Sequence, residues 1–161
     1  MKRSLTPRLL FVLILLTAVL AALHLSAASE TAPGTLVLAY NGHETVLTPD
    51  PTSAVTVEGK SVNGRGEVRE VHAEGWPFSS LLQAAGFDPQ GIQRVSVLAA
   101  DGYSAAVSGA EILEEGKVFL LKGEGSSFRL VVFGDENSRR NVKDVIRLIP
   151  EEASQEAVPA A

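Results

Sequence analysis

The chain has 161 residues, 45% of them apolar, a formal net charge of −5 and no cysteine. The acidic balance leaves no footprint for DNA or RNA, which call for clustered cations against phosphate. With no cysteine there is neither a disulfide staple nor a thiolate ligand, so stability rests on burial and hydrogen bonding alone.

At the N-terminus Lys2, Arg3 and Arg8 precede an apolar run from Leu9 to Leu25, broken only by Thr17 and His24. A basic flank before such a run is the pattern of an export signal, and Ser26 and Ala28 meet the small-x-small rule for cleavage after Ala28. Residues 1–28 are therefore expected to be a signal peptide. An uncleaved membrane anchor over residues 9–25 is the alternative, the run being at the lower limit for crossing a bilayer. Either outcome places the rest outside the cytoplasm, whether secreted, periplasmic or at the cell surface. Membrane contact is expected only if the segment stays uncleaved. The remainder of the chain suffices for one domain, expected over residues 35–150. Ser29–Gly34 and the acidic tail at 151–161 lack periodicity and are expected to be disordered ends.

Within the domain, short apolar runs separated by Gly, Asn and Asp predict a strand-dominated fold. Leu36–Tyr40 and His43–Leu47 flank Asn41-Gly42, a dipeptide suited to the positive φ angles of a tight hairpin. Strands are expected at Ala54–Val57 and Val68–His72. Pro77 suits the first position of a helix in which Phe78, Leu81, Leu82 and Ala85 recur at helical spacing, with Gly86 closing the end. A second hairpin is expected from Val95–Ala99 and Tyr103–Val107 around Asp101-Gly102, then a weaker helical turn over Gly109–Glu114. Val118–Leu121, Phe128–Phe133 and Lys143–Ile149 complete the strands, many of them rich in β-branched or aromatic residues. The fold class is α+β, a β-rich mixed-sheet domain with one or two short helices.

Three blocks in order, GWPFSSLLQAAGF, VSVLAADGYSAAV and RLVVFGDENSRRNVKDVIRLI, resemble successive parts of the molybdopterin-binding oxidoreductase domain of the sulfite oxidase family. Gly75, Pro77, Leu81, Leu82, Asp101, Gly102, Tyr103, Arg129, Leu130, Val131, Val132, Gly134, Arg140, Val142 and Lys143 carry the match. Each block alone is weak, and their order makes the match specific. The resemblance implies a sulfite oxidase-type fold, an oxidoreductase ancestry and molybdopterin as the cofactor to consider. It also implies that Arg140 and Lys143 face the pterin phosphate, for which a guanidinium fork and a compact ammonium are suited, and it brings in Tyr103 and Asp101 as further cofactor-binding candidates. The chain departs from the family where the family carries its molybdenum-ligating cysteine, a segment corresponding to Val55–Gly66. It departs again at Phe133, which replaces a proline, and in a shorter Lys122–Phe128 connection. No catalytic residue is assigned, and whether the chain is an enzyme stays open.

Blander readings stand beside each candidate. Asp135, Glu136 and Asp144 offset Arg139, Arg140 and Lys143, so a self-paired, solvated loop competes with an anion site. Tyr103 either donates into a pocket or caps the sheet. Trp76 is expected to pack at the helix entry, with stacking on a planar ligand or a partner as the other reading. His43 and His72, with Glu44 and Glu74, are too few for a closed zinc site, so no metal is predicted. TVEGKS lacks the first glycine and the following helix of a P-loop, Gly64-Arg65-Gly66 lacks the third glycine of a dinucleotide fingerprint, and no nucleophile elbow occurs.

Three functions fit this pattern. The first is an exported, non-catalytic module binding a pterin, another small anionic planar ligand or a protein partner. The second is an oxidoreductase whose cofactor is held without cysteine, with Tyr103 or Asp101 as replacement oxygen ligand, or is completed by a partner subunit. The third is a structural or partner-binding surface domain.

Overall fold

The computed structural model describes residues 32–152. The expected export segment at 1–28 and residues 153–161 of the expected tail lie outside the described residues. The domain is a β-rich α+β fold of two sheets and two short helices. The strands are β1 (Leu36–Tyr40), β2 (His43–Leu47), β3 (Val55–Val62), β4 (Val68–Pro77), β5 (Ile92–Ala99), β6 (Ser104–Ser108), β7 (Val118–Lys122), β8 (Phe128–Val132) and β9 (Val145–Glu152). The helices are α1 (Phe78–Ala84) and α2 (Gly109–Leu113). A five-stranded mixed sheet runs β2-β1-β9-β5-β6, with β1 and β9 parallel, and a four-stranded antiparallel sheet runs β3-β4-β7-β8.

The main core fills the space between the sheets. Leu36, Leu38, Val95, Val97, Val107 and Leu148 meet Trp76, Val118, Leu120, Phe128, Leu130 and Val132, with Phe78, Leu81 and Leu82 of α1 and Ile112 of α2 packed against them. Trp76 is 5% exposed, lies edge-on to Phe128 at 5.9 Å, and donates its indole N–H to the carbonyl of Asp50 at 2.8 Å. It packs at the helix entry, as expected. Pro77 sits one position earlier than expected, as the N-cap of α1 with ψ 131°. Its register partner is Phe119, so β7 holds it as the last residue of β4. Both expected hairpins form, but their turns differ. At Asn41-Gly42 both φ angles are positive and Tyr40 pairs with His43. At the second only Gly102 is left-handed, and the Ala99 N–H donates to Tyr103 O, which makes a three-residue loop of Ala100, Asp101 and Gly102.

A second apolar cluster lies on the other face of the four-stranded sheet. On β7 and β8 alternate residues face opposite ways, so Leu120 and Leu130 enter the main core while Phe119, Leu121 and Val131 face away from it. Val57, Val71 and Ala73 of the β3–β4 hairpin pack on these, together with Phe133. β4 pairs with β7 only at Gly75–Pro77, whereas it pairs with β3 along that strand's whole length. The hairpin is thus an arm folded back over its own sheet. It alternates apolar or small residues inward, Val57, Gly59, Ser61, Val71 and Ala73, with Thr56, Glu58, Lys60, Glu70, His72 and Glu74 outward. β3 outruns the expected Ala54–Val57 because this alternation continues through Gly59 and Ser61, residues of poor intrinsic strand preference. Gly59 is required by proximity, since a Cβ there would stand 2.7 Å from the Phe133 ring.

Gly59→Ala is expected to lower unfolding stability by about 1–3 kcal/mol through overpacking. Adding Phe133→Leu should recover part of that loss in a denaturant-unfolding double-mutant cycle. Independent, additive effects would show that the arm does not rest on Phe133.

Candidate functional site

Beyond β8 the chain runs through residues 133–144 with no regular element, and neighbours fix its course. The Phe133 N–H donates to Lys117 O at 2.8 Å, Leu130 N–H to Val142 O at 2.8 Å, and Ala100 N–H to Asp144 O at 2.9 Å. The Tyr103 hydroxyl donates to Arg139 O, and the Asn141 side-chain amide donates to Val62 O at 3.1 Å. The loop is therefore stitched to β7, β8, the β5–β6 turn and the tip of the arm. Val142, 1% exposed, anchors it in the main core.

Arg140 is occupied within the chain. Its Nε donates to Asp135 Oδ2 at 2.9 Å, a second nitrogen donates to Asp135 Oδ1, and a third donates to both carboxylate oxygens of Glu111 at 2.8 Å. Glu111 is also the N3 residue of a capping box, accepting from the Ser108 N–H and hydroxyl. Burial alone would raise the Glu111 carboxyl, but the hydrogen bonds from Arg140 and Ser108 outweigh it and hold the group at about 2. The same contacts, with Asp135 first, push the Arg140 guanidinium upward. Arg140 thus clamps the loop to α2.

The other three sequence candidates converge. Asp101, Tyr103 and Lys143 line one cleft of about 500 Å³, with Asn63, Gly64 and Arg69 of the arm, Arg129, Asn141 and Asp144. Arg140 is not among its lining residues. A second cleft, about 550 Å³, lies between Glu70–Ala73 and the β7–β8 turn. Arg129, Lys143 and Asp144 line both clefts. Tyr103 is half exposed, and Asp101 Oδ1 accepts from the Tyr103 N–H at 2.9 Å, so Asp101 shapes its turn.

Arg129 is the group that sequence reasoning passed over as a site residue. Among the described residues three arginines are half-buried, Arg129, Arg140 and Arg147. Arg140 is held by Glu111 and Asp135, and Arg147 by Glu44, whereas Arg129 makes no ion pair among the described residues. Its Nε and the Oδ1 of Asn141 are buried without a hydrogen-bond partner. A half-buried guanidinium with nothing opposite it is costly, which marks it as a place for an anion. Its signal in the sequence is one arginine within FRLVV, where it shares a strand face with apolar Val131. Arg69 and Asn141 have no such signal, because only the fold-back of the arm brings them to the cleft.

Among the described residues His43 and His72 are on exposed strand positions, His72 bonding Glu58 at 2.9 Å. No group of three residues able to hold a metal occurs among the described residues, nor is any helix among them long and apolar enough to cross a membrane. No family model matches the chain, and no curated protein does.

The Glu111 clamp sets an acid-side pH dependence. Because its folded value, about 2, is below the ordinary 4.5, its stabilisation is complete above about pH 4.5 and is lost as pH falls towards 2. Glu111→Gln is expected to be less stable than the parent at pH 7, with the gap closing in melts taken down to pH 2. A gap independent of pH would assign the loss to something other than the ionised carboxylate.

Proposed function

We propose that the protein is an exported, non-catalytic ligand-binding module with a molybdopterin-domain fold of the sulfite oxidase type. Its ligand is a small anionic planar molecule, with molybdopterin the first to test. The observation that carries this reading is Arg129, half-buried and unpaired on a cleft that also holds Lys143 and Tyr103. Guanidinium and ammonium together suit a phosphate or carboxylate group, and the unsatisfied Asn141 oxygen offers an acceptor to a ligand N–H or O–H. The anion site sits one strand away from the loop arginine that the resemblance singles out, because Glu111 and Asp135 have taken up Arg140. The Phe133 departure fits the same reading, since its ring is the seat of the Gly59 arm. Export is inferred from the N-terminal sequence pattern.

The residues present do not fit the family's metal. Soft thiolate ligation is absent from the sequence. The Tyr103 hydroxyl and Asp101 Oδ1 already serve Arg139 O and the Tyr103 N–H, which weighs against the oxidoreductase alternative. The self-paired Arg140 favours a structural or partner-binding domain as the second reading.

Purified protein titrated with molybdopterin is expected to bind it, and an Arg129→Ala, Lys143→Ala double variant to lose at least about tenfold in affinity through lost charge-assisted hydrogen bonds. No binding, or binding unchanged in the double variant, sinks the ligand assignment. Elemental analysis of protein from its native exported compartment is expected to find neither molybdenum nor tungsten, and near-stoichiometric metal would restore the enzyme reading.

A further inference from the structure

Resting on the anion-binding reading of this cleft, we propose that the ligand is a zwitterion. Arg129 and Lys143 hold its anionic group, and Asp144 holds a cationic or strongly donating group on the same molecule. The three residues lining both clefts, Arg129, Lys143 and Asp144, make no ion pair among the described residues. Other charges nearby are more committed. Arg69 pairs with Glu67 at 3.4 Å, Lys122 with Glu74 at 3.5 Å, and Asp101 accepts from the Tyr103 N–H. Glu70 and Glu124 line the second cleft only.

Asp144 has φ 49°, in the left-handed region, and its carbonyl accepts from the Ala100 N–H at 2.9 Å. Asp is among the residues that adopt this conformation, but Asn or Gly serves it at least as well, so the turn does not require the charge. Nor does any hydrogen bond, since the Asp144 side chain makes none among the described residues. A bare anion drawn to Arg129 and Lys143 meets Asp144 as a like charge at the meeting point of the clefts. A ligand carrying a positive group beside its anion converts that repulsion into attraction. Two cations and one carboxylate at a shared wall, with space on either side, match a molecule that presents both signs.

Phosphoethanolamine and monoethyl phosphate separate these cases, because they share a phosphate ester and differ by one ammonium group. Calorimetric titration at pH 7 is expected to give phosphoethanolamine about tenfold tighter binding, the scale of one charge-assisted hydrogen bond. Asp144→Asn, which keeps the left-handed turn, should abolish the difference without weakening monoethyl phosphate, while Arg129→Ala should weaken both. Equal affinities in the parent protein overturn the zwitterion inference and leave anion binding intact, as does a phosphoethanolamine preference that survives Asp144→Asn. If neither probe binds, this inference fails, and the molybdopterin titration decides the anion reading separately.

Discussion

The four-stranded sheet has to bury both of its faces, and the form of the end that carries the clefts is set by that. Leu120 and Leu130 point into the main core, while Leu121 and Val131 point the other way and would otherwise meet water. Covering the second face takes a layer, and the chain supplies one by folding the β3–β4 hairpin back on itself. At roughly 25 cal/mol for each Å² of apolar surface removed from water, seating these side chains offsets part of the cost of ordering the arm, and the β3–β4 ladder contributes as well. The clefts are the space left where that cover ends. Arg129 shares its strand face with Val131 and stands just past the covering residues, which leaves it half-buried without a partner.

Charge sorting completes the arrangement. Carboxylates in this region divide between holding structure and facing the clefts, and Glu111 does the first for two elements at once, capping α2 and gripping Arg140. The loop at 133–144 has no ladder of its own, so its order is borrowed from β7, β8, the β5–β6 turn and this clamp. Lys143 and Asp144 come directly after the buried Val142, which fixes their backbone while leaving the side chains uncommitted. A scaffold of this kind holds side chains in place through the neighbours behind them.

Local signals are legible in the sequence and long-range ones are not. β1 and β2 fall on their expected residues because the Asn41-Gly42 turn sets the register by itself. The Phe78–Ala84 helix is written in its apolar spacing, and the Gly109–Glu114 turn is α2, fixed by the Ser108 and Glu111 capping box. The expected β3 stops short of Gly59 because the ring that requires a glycine there arrives from a residue far along the chain. The expected end at Pro150 gives way to a strand running through Glu152, where Glu151 meets Arg94 across β5 and β9. For the site, Lys143, Tyr103 and Asp101 are recognisable from motif position. Arg140 is recognisable as a residue with a task, but the identity of its partner is not, since Glu111 lies on a different element. Arg129 looks like one more strand residue because nothing local reveals that both faces of β8 are covered.

The arm is joined to the rest of its sheet through Gly75, Trp76 and Pro77 alone, although its own two strands are paired throughout. That attachment is narrow, so the apolar cluster beneath the arm and the Asn141 bond to Val62 supply the rest of its hold. The arm supplies lining residues to each cleft, so both depend on how it is seated. The shape of both clefts is thereby tied to the packing of Val57, Val71 and Phe133, residues that carry no charge.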